Sequence, residues 1–306
     1  MLSSVGGTRS SFFETLKDDE TSVAAGRNIH VERTVLSELP GDVDARRTSY
    51  DVPTMAAVGV VSGLLMMVTH EVLGHSLVTV LLGAHLVHVT SIDSSYSGPA
   101  SPVAMRAIAV AGIAANVIIG WLVLVLGRSI PARSSAFRYF AWVFGHATLF
   151  MGSSYLAGFA FLPFGDVHAA IQGLPYRIAF QSLAVLTGAA IYRAAFVDAR
   201  HTLFGWVDGE PVRSRELALV PYLAMGATVT LASLFNPGGA LAGMLWGAAA
   251  TFGANYGLLA AATVGTSKQR MMAGQRIDIA RSGGWIAAGL VSTFLLFVVL
   301  GPGVPR

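Results

Sequence analysis

The stretch Met66–Gly83, "MMVTHEVLGHSLVTVLLG", decides how this chain is read. It is apolar enough for a membrane-crossing helix, yet it holds His70, Glu71 and His75 close together near its middle. Ionisable side chains in hydrocarbon cost free energy unless they find partners, so this cluster marks a functional site. Neutral imidazole is a zinc ligand, and a neighbouring glutamate is the usual base that takes a proton from metal-activated water. The standard spacing is H-E-x-x-H, because residues four apart lie about 40° from one another around an α-helix. Here the histidines are five apart, which an ideal α-helix would place about 140° apart. They converge only if the helix widens locally into i→i+5 bonding, and Gly74, lacking a Cβ, suits such a distortion.

A catalytic zinc takes three protein ligands, so a third must come from elsewhere in the chain. The best candidate is Asp166 in "FAFLPFGDVHAA" (159–170), where Pro163 and Gly165 break a helix at membrane depth. His168 and His146 are alternative third ligands, and Asp166 could instead cap the loop in which it sits.

The whole chain agrees with a membrane setting. Of its 306 residues, 54% are hydrophobic and only 12% charged, with a mean hydropathy of +0.62; soluble domains carry about 25% charged residues. Seven apolar spans are expected, at 54–82, 105–127, 138–163, 178–198, 217–235, 239–263 and 283–301. Each is near the ~20 residues that cross ~30 Å of hydrocarbon. Small residues are frequent inside them, as in "GGALAGMLWGAAATFGANYG", which suits close helix packing in lipid. The fold class is therefore all-α and polytopic, with one exception in the first loop. There "HLVHVTSI" is β-branched and partly alternating, and predicts a strand or short hairpin. The absence of cysteine excludes disulfides and thiolate metal sites.

Residues 1–53 hold nine of the seventeen acidic residues and read as a polar, largely disordered tail without the apolar core of a signal peptide. Arg and Lys then alternate between rich and poor connections. Arg46 and Arg47 precede the first span, and Arg128, Arg133 and Arg138 follow the second. Arg200, Arg213 and Arg215 follow the fourth, and Lys268, Arg270, Arg276 and Arg281 the sixth. The alternation predicts a multi-pass protein of the plasma or inner membrane, with a cytoplasmic N-terminus and residues 70–75 and Asp166 toward the outer side. Three regions follow: the tail at 1–53, a three-helix core at 54–175 and a four-helix remainder at 176–306. Among other polar residues, Asn116 serves either chemistry or interhelical bonding, and His85 and His88 read as strand residues. "NPGG" (236–239) reads as a tight turn, and Asn255 as packing.

Three segments together resemble the site-2-protease family of intramembrane zinc metalloproteases. "HEVLGHSL" is similar to the family's His-Glu helix, HELGHxL, with one residue inserted. "AVAGIAANVIIG" (109–120) resembles its Gly-Pro-x-x-Asn segment, with Gly112 and Asn116 in place and Ile113 where Pro is usual. "LPFGDVHAA" resembles its Leu-Asp-Gly segment, with Pro163 and Asp166 matching, Gly165 in place of Leu and Val167 in place of Gly. The resemblance covers about residues 54–175. It implies a three-helix catalytic core in which His70, His75 and Asp166 hold Zn2+, Glu71 activates a metal-bound water, and Asn116, with Gly112, positions substrate backbone.

The expected function is thus that of a zinc metalloendopeptidase cleaving membrane proteins or peptides in or near the bilayer, with no nucleic-acid partner. Two rivals are a seven-span zinc hydrolase of lipid amides or esters and a non-catalytic scaffold or transporter using His70, Glu71 and His75 as a proton or metal path. Nitrogen–oxygen sites of this kind also take cobalt or iron.

Overall fold

The computed structural model describes residues 50–98, 101–207, 210–263 and 276–305. The expected disorder of the N-terminal tail, up to residue 49, lies outside the described residues. All seven apolar segments are helical. Among the described residues, five helices are long and apolar enough to cross a membrane: α1 (Val52–Leu81), α2 (Pro102–Gly127), α5 (Arg177–Trp206), α6 (Pro211–Phe235) and α9 (Gly283–Leu300).

The remaining two expected spans differ from these in informative ways. Helix α3 (Ser135–Gly158) is 24 residues long but carries His146, Thr148, Ser153 and Ser154. Two of the hydroxyls return to their own helix, Thr148 Oγ1 donating to the Phe144 carbonyl at 2.7 Å and Ser153 Oγ to that of Leu149 at 2.6 Å, while Ser154 Oγ donates to the Ala254 carbonyl at 3.3 Å. With those groups satisfied, every residue from Ala141 to Ser153 is buried, and α3 packs against α1, α2 and α5. The segment expected at 239–263 is interrupted: α7 (Ala240–Ala248) passes through a π-helical turn at Ala249–Gly253 before α8 (Tyr256–Thr263). Asn255 sits at that break, its amide donating to the Ala250 carbonyl and facing Met66 Sδ at 3.5 Å, a packing role as expected.

Small residues set the interhelical distances. A Cβ on Gly59 would lie 2.6 Å from the Pro221 backbone, and one on Gly188 2.6 Å from the Ser153 carbonyl. Gly120 and Gly145 face each other across the α2–α3 contact in the same way. In lipid, where apolar surface gains little by leaving the solvent, such close backbone approach is the main source of helix association. Helix α1 begins cleanly because Asp51 caps it, accepting from the Thr54 amide at 3.0 Å and the Thr54 hydroxyl at 2.7 Å.

Helix α5 runs beyond its expected end at residue 198, which brings Asp198 inside a helix. The carboxylate is held there by Arg128 Nη2 at 2.7 Å and faces His146 Nε2 at 3.3 Å. A hydropathy window stops at such a charge, whereas the helix runs through it to Trp206.

The loop after α1 forms the expected hairpin: β1 (His85–Val89) pairs antiparallel with β2 (Ser94–Ser97), with an irregularity between Leu86 and His88. A short strand β3 (Val304–Pro305) joins the other side of β1, giving the order β2-β1-β3. The hairpin is tied down at its tip, where the Ser91 amide donates to the Leu300 carbonyl and Asn236 Nδ2 to Thr90 Oγ1 at 3.1 Å.

Candidate metal centre

Helix α1 changes character where the two histidines lie. From Val68 to Ser76 its bonding is π-helical, and α-helical turns resume at Leu77. The wider turn leaves carbonyls short of partners, and Ser76 Oγ supplies one by donating to the Glu71 carbonyl at 2.7 Å. This is the widening that the five-residue spacing requires. It turns His70 and His75 toward each other, with their Nε2 atoms 3.2 Å apart.

The third group arrives from a helix start. Gly165 takes φ +84°, a left-handed conformation that a side chain disfavours, and turns the chain into α4 (Asp166–Ile171). Asp166 is the first residue of that helix, and its Oδ2 lies 3.1 Å from His70 Nε2 and 3.4 Å from His75 Nε2. The other candidates for a third ligand lie elsewhere. His168 Nδ1 faces Arg177 at 3.4 Å, and His146 donates from Nδ1 to the Trp142 carbonyl.

The triangle of donor atoms has the dimensions of a metal site. Tetrahedral coordination at 2.0–2.1 Å places ligand atoms about 3.3 Å apart. The separations here are 3.1, 3.2 and 3.4 Å. The ring of His75 is already oriented for ligation: its Nδ1–H donates to the Ile108 carbonyl at 2.7 Å, leaving Nε2 with a free lone pair. Two imidazoles and one carboxylate are a common zinc donor set, and among the described residues they are the only His/Cys/Asp/Glu group of three or more gathered this way.

Glu71 stands beside the triangle, 3% exposed, in the wall of the same cavity. That cavity is about 430 Å³ and is lined by His70, Glu71, His75 and Asp166 together with residues from four other regions, among them Ile108 and Ala109 of α2. The hairpin gives Asp93, Ser94 and Tyr96. Helix α3 gives Tyr155, whose ring centroid is 4.9 Å from that of His70. The turn after α6 gives Asn236 and Gly238, and α7 gives Gly243 and Trp246. The four residues expected to do chemistry are therefore brought to one cavity, three of them to one point.

Asn116 and Gly112, expected to position substrate, occupy a different place. Both are buried on α2 behind the imidazoles, and neither lines the cavity. Asn116 is wholly buried, with Nδ2 3.1 Å from His70 Nδ1. A Cβ on Gly112 would lie 2.7 Å from His75 Cε1 and 2.9 Å from His70 Cε1, so this glycine is the floor on which both rings rest. Gly74 meets the backbone of Gly112 across the same crossing. The rings stand between both residues and the cavity.

Sequence reading did not find Tyr155, Asn236, Gly243 or Trp246. "NPGG" does form a turn, with Asn236 Oδ1 accepting from the Gly238 amide at 2.8 Å, but it also closes one wall of the cavity. His88 is a strand residue as expected, with Nδ1 2.7 Å from Ser95 Oγ. No protein-family model matches the chain, and comparison with curated proteins and with solved structures finds no similar protein.

Proposed function

We propose that the protein is a membrane-embedded zinc metallopeptidase that hydrolyses peptide bonds in or near the bilayer. The observation that carries this reading is the convergence of His70, His75 and Asp166 into a triangle of metal-site dimensions with Glu71 in the same cavity wall. When bound there, zinc supplies Lewis acidity, polarising a scissile carbonyl and making water acidic enough to lose a proton near neutral pH. Glu71 is the proton acceptor in that step, and its carboxyl then returns the proton to the departing amine nitrogen. Its burial beside the donor triangle keeps bulk water from competing for that proton.

A peptide substrate is favoured by the hairpin. β2 is paired only on its β1 side among the described residues, and Ser94 and Tyr96 of β2 line the cavity. An unpaired strand edge offers backbone donors and acceptors to an extended chain, and a transmembrane helix must unwind into such a chain before its carbonyls are open to attack.

The reading is tested on purified protein in detergent, with metal content measured alongside cleavage of a transmembrane peptide reporter. Glu71→Gln is expected to retain metal and lose activity by about 10²- to 10⁴-fold, the usual contribution of a positioned base. Full activity in Glu71→Gln refutes the mechanism, and wild-type protein that takes up no divalent metal refutes the site.

A further inference from the structure

His70 and Asn116 form a pair whose chemistry decides whether the donor triangle can be loaded. The carboxamide is fully buried, Nδ2 lies 3.1 Å from His70 Nδ1, and Oδ1 has no hydrogen-bond partner. A carboxamide can present either end to an imidazole. The two orientations correspond to the two tautomers of His70. With the NH2 group facing the ring, Nδ1 must be the acceptor and the ring proton sits on Nε2. That proton then points into the triangle, where Nε2 lies 3.1 Å from Asp166 Oδ2 and 3.2 Å from His75 Nε2. With the carbonyl oxygen facing the ring, Nδ1–H is the donor and Nε2 is bare. Either orientation leaves one end of the buried amide without a partner, so hydrogen-bond satisfaction does not separate them. The occupant of the triangle does, because a metal and a proton compete for the same lone pair.

We infer that Asn116 is the positioning residue of the metal centre: in the loaded protein its Oδ1 accepts the His70 Nδ1–H, holding the ring in the tautomer that exposes Nε2 to the metal. The inference rests on the reading of the triangle as a metal site. It assigns to Asn116 the part that the Ile108 carbonyl plays for His75. The two histidines are then set by different devices, a backbone carbonyl for one and a side-chain amide for the other. Only the second can also adopt the unloaded arrangement, by rotating through half a turn. Asn116 is thus the place where the empty and loaded states of the site differ, and it acts without touching substrate.

The test compares wild type with Asn116→Ala and Asn116→Asp in detergent, using zinc and cobalt in competition with a chelator, and the cobalt absorption spectrum as a second readout. Thermal unfolding without metal reports whether each variant is folded. Asn116→Ala is expected to bind metal 10- to 100-fold more weakly, the usual cost of removing a partner that orients a ligand. Asn116→Asp, whose carboxylate can only accept, is expected to restore most of that affinity with a shifted cobalt spectrum. Folded Asn116→Ala with wild-type affinity overturns the inference while leaving the metal site standing, and so does folded Asn116→Asp binding no better than Asn116→Ala. Wild-type protein that binds neither metal overturns the metal reading itself, and the inference with it.

Discussion

Replacing Gly112 with alanine adds one methyl group at the point where α2 supports both imidazoles. The new Cβ would fall 2.7 Å from His75 Cε1 and 2.9 Å from His70 Cε1. Carbon atoms in contact sit 3.5–4.0 Å apart, so the rings must retreat by about 0.8 Å. The floor itself has little room to move, because Gly112 is already pressed against the backbone of Gly74. Ligand atoms in a working metal site are held within about 0.2 Å, so the shift is several times what the triangle tolerates. A displacement of this size costs on the order of 100-fold in affinity or rate. Overpacking adds about 1–3 kcal/mol of destabilisation.

Metal affinity by chelator competition separates these two effects, because it is read on the folded fraction, whereas thermal unfolding without metal reads the packing cost. Gly205→Ala is the control, since a Cβ there meets nothing within 4 Å. Gly112→Ala is expected to lose metal and activity by about 100-fold while Gly205→Ala matches wild type. Gly112→Ala with wild-type metal affinity would refute the claim that this glycine carries the imidazoles.

Two further outcomes test other parts of the structure. Proline at Ser94 or Ser95 removes one backbone donor from β2; at whichever position that donor faces away from β1, reporter cleavage should fall while metal content is unchanged, and unchanged cleavage in both variants would remove the strand-edge docking of substrate. The Asp51 cap is pH-sensitive in a defined direction. The Thr54 hydroxyl holds its carboxyl below the usual value, so its stabilisation of α1 is present above about pH 4 and is lost as pH falls through that lowered value. Thermal unfolding followed from pH 6 to pH 3 should show that loss in wild type and not in Asp51→Ala.

What the sequence disclosed and what it concealed divide along a physical line. His70, Glu71 and His75 were legible because each is expensive in a membrane, and the five-residue spacing itself demanded the π-helical turn found at Val68–Ser76. Asp166 was legible because Gly165 and Pro163 announce a break at a depth where unpaired backbone needs a cavity. The hairpin showed in its β-branched alternation. Tyr155 and Trp246 gave no such signal, since an aromatic residue in an apolar helix looks the same whether it faces lipid, another helix or a cavity. Asp198 was read at the end of its span because a charge lowers hydropathy whether or not it is paired, and Arg128, 70 residues away, pairs it.

Asn116 and Gly112 were singled out from the sequence as special, and the contacts they make in the fold are with the protein's own imidazoles. A small residue and an amide four apart on one helix say that something must approach closely and something must be hydrogen-bonded, but not what. In the fold the close approach is made by the protein's own imidazoles, 2.7 Å and 2.9 Å from where a Cβ would be, and the hydrogen bond goes to His70. The consequence reaches past these two residues. Helix α2 supports both imidazoles through Gly112 and lends Ile108 and Ala109 to the cavity, while β2, Asn236 and Trp246 form other parts of its lining. Those parts come from the hairpin, from the turn after α6 and from α7. The region at 176–306, for which the sequence suggested no catalytic part, thereby supplies a wall of the cavity, so the three-helix core carries the candidate ligands but not all of the surface around them.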